Sequence, residues 1–163
     1  MSGDMKTILV GYDESAPGDR ALSRAADLAE ALGARLVVAC ITNEPLASPV
    51  PTLAPDAVPP LAVGTPGAVP VPQEAPPDQP GPKELAQHHV ERARMALAQR
   101  RLAVEYVADI GNTADGLLDL AETRDADLIV VASREHGFLD RLLGRGVDEA
   151  VAERSTRDVL LVR

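Results

Sequence analysis

Cysteine occurs once in the 163 residues, at Cys40, so no disulfide can close within the chain. Tryptophan is absent and the aromatics are Tyr12, Tyr106 and Phe138, which leaves the core to Ala, Val and Leu and provides no platform for stacked bases. Positive charge is also short: 16 Lys and Arg stand against 25 Asp and Glu, for a formal net charge of -9. That is the opposite of the footprint a nucleic-acid surface needs. No apolar run approaches the roughly 20 residues that span a bilayer. The opening residues 1–6 lack the long apolar stretch of a secretory leader. A cytoplasmic protein with neither nucleic acid nor membrane as partner is expected.

What is present alternates between two periods. Residues 6–13, Lys-Thr-Ile-Leu-Val-Gly-Tyr-Asp, form a short β-rich apolar run of the kind buried on both sheet faces. Ser15 can cap the helix that follows, Pro17 suits its first turn, and Leu22, Ala25, Ala29 and Leu32 recur at helical spacing until Gly33. Residues 35–42 are a second apolar strand, completing a βαβ unit. After Lys83, an amphipathic helix is marked by Ala86, Val90, Ala93 and Leu97. Residues 102–108 read as a third strand, and Asn112 or Thr113 caps a helix bearing Leu117, Leu118, Leu120 and Ala121. Residues 128–132 are a fourth strand. A short helix carrying Val147, Ala150 and Val151 leads to a fifth at residues 159–162.

Such alternation predicts an α/β protein with a parallel sheet covered by helices on both faces. Right-handed crossovers then favour a five-stranded sheet with the first strand central and a switch point beside it. Ligands bind outside the carboxyl ends of strands at such a point. Those ends are Gly11-Tyr12-Asp13, Ile41-Thr42, Ala108-Asp109 and Ala132-Ser133.

The segment from about 43 to 82 breaks the pattern. It holds thirteen of the fourteen prolines, four acidic residues and no basic one. Proline removes backbone donors and disfavours helix in the preceding residue, so an extended, polyproline-like or disordered insertion is expected. It would serve as a solvated insertion, a flap over the cleft or a docking segment for a protein partner.

Ile8-Leu9-Val10-Gly11-Tyr12-Asp13-Glu14-Ser15, then Ala126 to Arg134, then Leu142 to Val147 with Asp158 to Arg163, together resemble the universal stress protein family. The resemblance covers the whole chain apart from the proline-rich insertion, as one domain over 1–163. It implies a flavodoxin-like, Rossmann-like three-layer sandwich with strand order 3-2-1-4-5, and a homodimer formed through the last strand. ATP-binding members carry Gly-x-x-Gly, nine residues, then Gly-Ser or Gly-Thr at a helix start. There glycine lets the backbone approach phosphate, and free N–H groups with the helix dipole favour the anion. In this chain the three glycine positions fall on Ala132, Glu135 and Arg145, and the hydroxyl position falls on Gly146. Two like charges about 5 Å apart at an effective dielectric near 20 repel by roughly 3 kcal/mol, so Glu135 opposes a phosphate.

The resemblance places a nucleotide against Asp13, Ile41, Ser133, Arg134, Gly144, Arg145, Gly146 and Val147. Weak, altered or absent ATP binding in a stress-response regulatory module without turnover is one expectation. The alternative is an ATP-binding member with a variant phosphate loop and slow hydrolysis, in which Arg134 and Arg145 clamp the phosphates. Asp13 can equally be a cap or turn former. Ser133, His136 and Asp13 suggest a nucleophile, base and orienter, but no Gly-x-Ser-x-Gly elbow surrounds Ser133. His88 and His89 diverge by about 100° on a helix and make a poor metal pair. Cys40 reads as a small core residue. No P-loop, zinc spacing or dinucleotide fingerprint occurs.

Overall fold

The computed structural model describes residues 5–43, 80–133 and 146–163. The chain divides into two compact units, 1–44 with 80–163, and 45–79; the second lies outside the described residues, as does nearly all of the proline-rich segment. In the first unit the described elements run β1 (Thr7–Gly11), α1 (Ala16–Leu32), β2 (Arg35–Thr42), α2 (Pro82–Leu97), β3 (Val104–Ile110), α3 (Thr113–Thr123), β4 (Leu128–Ala132), α4 (Val147–Arg154) and β5 (Asp158–Val162). Pro82 opens α2, where its missing N–H costs nothing. β3 starts two residues later than its alternation suggests, although Ala103 O already accepts the Leu36 N–H of β2 at 2.9 Å.

All strand pairs are parallel and the order is β3-β2-β1-β4-β5. β1 is therefore central, and the order reverses between β1 and β4. Its side chains alternate between two cores. Ile8 and Val10 join Leu36, Val38, Cys40, Leu128 and Val130 beneath α1 and α2. Leu9 joins Val37, Ile41, Ile129 and Val131 beneath α3 and α4. The result is the expected three-layer sandwich, and Cys40 is a buried free thiol within it.

The ends of α1 follow their local signals. Ser15 accepts the Gly18 N–H, while Gly33 closes the helix at φ 64°, a left-handed geometry glycine adopts without Cβ strain. At the opposite end of the sheet from the carboxyl ends of the strands, Asp127 sets the start of two strands. Its Oδ2 accepts the N–H groups of Lys6 (2.8 Å) and Thr7 (2.9 Å), while its own N–H donates to Thr7 O (2.9 Å). This clasp aligns β1 with β4 at the pair Ile8 and Leu128. No described helix is long and apolar enough to cross a membrane.

The Thr7 N–H, followed by that of Lys6, holds the Asp127 carboxyl below the ordinary carboxylate range. A lowered folded-state pKa stabilises the fold above the unfolded value near 3.9, and the stabilisation disappears as pH falls through the folded value. Asp127→Ala is expected to lose about 1 to 2 kcal/mol at pH 7 in urea unfolding. The gap to wild type should narrow as pH falls below the unfolded carboxylate value; a gap independent of pH would exclude this origin.

Candidate functional site

The carboxyl ends of β1 and β4 flank the switch point, and each leads into a loop and a helix N-terminus. On the β1 side, Tyr12 is tied down twice: its N–H donates to Ala39 O (2.9 Å) and its hydroxyl donates to Asp19 Oδ1 (2.9 Å). Burial, then the Asp19 hydrogen bond, raises its phenol well above the usual range, so it stays protonated. Asp13 follows. Its Oδ1 accepts the Ser15 N–H (3.1 Å) and the Ser15 hydroxyl (2.5 Å), so the local turn-forming role of Asp13 is realised.

Gly18 is what makes room for that carboxylate. A Cβ at residue 18 would lie 2.5 Å from Asp13 Oδ1 and 3.1 Å from Ser15 Oγ. The acidic group thus rests against the first turn of α1, where the helix dipole favours it. Beneath this loop the Cys40 thiol is pushed up to about 12, by burial first and by the Asp13 carboxylate second. It is unavailable as a thiolate nucleophile at neutral pH.

On the β2 side, Ile41 is buried, and its carbonyl is approached by the Thr113 hydroxyl at 3.5 Å. Gly116 of α3 packs so tightly on this side chain that an added Cβ would lie 2.7 Å from Ile41 Cδ1. The Ile41 side chain is therefore a wall of the core rather than an open contact surface.

The β4 side carries the main departure from expectation. Ser133 N–H donates to Val162 O (2.7 Å), which extends the β4–β5 ladder by one residue. Its hydroxyl donates to Asp148 Oδ2 at 3.2 Å. Asp148 lies in the first turn of α4, whose N-cap is Gly146, and is only 6% exposed. A buried carboxylate thus occupies the first turn of α4. Asp148 was not among the residues singled out from the sequence; an acidic residue two positions past a glycine cap was the available signal.

Among the sequence-derived site residues, the structure places Asp13, Ser133 and Gly146 at strand or helix ends bordering the switch point, while Val147 begins α4 and is 40% exposed. Arg134, Gly144 and Arg145, like Glu135 and His136, lie outside the described residues. Among the described residues no cluster of three His, Cys, Asp or Glu could hold a metal ion. His88 Nε2 lies 3.2 Å from Glu14 Oε2.

Comparison with known proteins agrees with the fold. The family model of the Universal stress protein family matches residues 5–65 and 60–163. A universal stress protein crystallised in complex with cAMP is 25% identical, with 99% of each chain covered and a TM-score of 0.68. A protein from Mycobacterium tuberculosis H37Rv is 28% identical over 100% of this chain and 98% of that one, with a TM-score of 0.50. The universal stress protein UspA from Lactobacillus plantarum shares the fold at 17% identity, covering 99% and 100%, with a TM-score of 0.63. A search of curated proteins gives no match.

Helix propensity alone makes Gly18→Ala stabilising by about 1 kcal/mol. Displacement of the Asp13 carboxylate reverses that sign, and a net loss of about 1 kcal/mol in urea unfolding is expected. A stabilised variant would show that Asp13 is not seated against α1.

Proposed function

This chain belongs to the universal stress protein family, and from that premise we propose that it binds an adenine nucleotide of low charge at the β1–β4 switch point. It does so as a dimeric regulatory module without turnover. The observation that carries the selectivity is the buried Asp148 carboxylate at the start of α4, hydrogen-bonded to Ser133. A carboxylate there makes each additional negative charge on the ligand less favourable. A cyclic monophosphate carries a single charge, whereas ATP carries several. The likeness to a universal stress protein holding cAMP supports the same choice. Asp13 then faces the ribose side of the cleft, and Ser133 and Gly146 border the phosphate. Arg134, Gly144 and Arg145 are the further candidates, adjoining these two in the sequence.

The dimer is proposed through β5, which among the described residues pairs only with β4, at one edge of the sheet. The strand reads Asp-Val-Leu-Leu-Val, and Leu161 is 43% exposed. An apolar edge with unpaired backbone groups invites a second strand. Val162 O accepts from Ser133, so backbone alternation turns the Val159 and Leu161 groups outward.

Calorimetric titration with cAMP, AMP and ATP, with and without Mg²⁺, tests the ligand. The expected order of affinity is cAMP, then AMP, then ATP. Asp148→Asn should raise ATP affinity at least tenfold while moving cAMP by less than about threefold, following the charge removed. Tighter binding of ATP than of cAMP by the wild type would overturn the reading. For the interface, Leu161→Pro should shift the protein from dimer to monomer in sedimentation while leaving its circular dichroism intact. A dimer that survives this change would rule β5 out.

A further inference from the structure

The loop between β1 and α1 is anchored at both ends, by Tyr12 to β2 and by Ser15 as the helix cap. Between these points Glu14 stands at φ 58°. Left-handed geometry is disfavoured for a residue with a side chain by roughly tenfold in population. Nothing within β1 or α1 explains why a glutamate should hold it.

The explanation comes from α2. Arg92 Nε lies 2.8 Å from Glu14 Oε1, and His88 Nε2 lies 3.2 Å from Glu14 Oε2. The two α2 residues are one helical turn apart and grip the two carboxylate oxygens separately. The same helix is attached near Ile41 as well, since the Thr42 hydroxyl donates to Pro82 O at 2.7 Å in its first turn. α2 therefore contacts the immediate neighbours of both Asp13 and Ile41.

We propose that Arg92, assisted by His88, is a positioning residue for the cleft: it holds Glu14 in the left-handed geometry and thereby fixes the loop that presents Asp13. Arg92 touches no ligand itself. Its effect on binding passes through Glu14 and rests on the nucleotide reading given above, whereas its effect on the loop does not. The pair is part-exposed, with Arg92 52% and Glu14 28% accessible, so the expected effect is a few-fold change.

Two readouts separate these claims: hydrogen exchange at the Ser15 amide in ligand-free protein, and cAMP affinity by calorimetry. Arg92→Ala should speed exchange about fivefold and weaken cAMP binding about threefold, and Arg92→Lys should restore at least half of each loss. Glycine adopts φ 58° without a clamp. In a Glu14→Gly background, Arg92→Ala should therefore alter neither quantity. Unchanged exchange in Arg92→Ala, or an equal loss in the Glu14→Gly background, overturns the proposal. If the wild type binds no nucleotide, the reading of the cleft fails, and exchange at Ser15 still decides whether the clamp holds the loop.

Discussion

Burial of β1 on both faces is the constraint from which the rest of this molecule follows. Ile8, Leu9 and Val10 are all fully buried, and the alternation of the strand sends them into opposite cores. A strand placed in this way needs a hydrogen-bonded neighbour on each side and a helical layer on each face. β2 and β4 supply the neighbours, α1 with α2 one layer, and α3 with α4 the other. The reversal of strand order beside β1 is what opens a crevice there, and it does so at the carboxyl ends, where loops rather than ladder bonds complete the backbone.

Asp13, Glu14 and Asp148 follow the carboxyl ends of β1 and β4, and each is held differently. Asp13 turns back onto the Ser15 cap and fits because residue 18 has no side chain. Glu14 is held by α2. Asp148 is buried in the first turn of α4 beneath the Ser133 hydroxyl. A carboxylate near a helix start is favoured by the same dipole that favours a phosphate. This chain has an acid of its own beside the first turn of both helices, Asp13 at α1 and Asp148 at α4. Glu135 and Asp148 add negative charge beside the place of the phosphate loop, whereas Arg145 adds positive charge, and the proposed preference for a ligand less charged than ATP rests on the two acids.

Much of the fold was legible before any coordinates, because it depends on short-range signals. Ser15, Pro17 and Gly33 bound α1 through cap chemistry that acts over three or four residues, and Asn112 does the same for α3. The continuous apolar runs at 8–10, 36–41 and 128–131 are what strands buried on both faces require. The site was less legible. Asp13 and Ser133 could be named from their positions after strands, but not what they bind. The Asp127 clasp joins residues 120 positions apart and carries no local pattern.

The sequence by itself determined the elements, their parallel arrangement and the family, since periodicity, caps and strand-end residues are properties of neighbours along the chain. It also showed that the phosphate-loop glycines are replaced. Only the tertiary structure decided where the charges go. Asp148 becomes a buried acceptor because β4 and α4 bring it to Ser133, and Glu14 takes a backbone geometry its own residue type disfavours because α2 supplies Arg92 and His88. Those energies arise from contacts between distant segments, and they exist only once the sheet has brought the segments together.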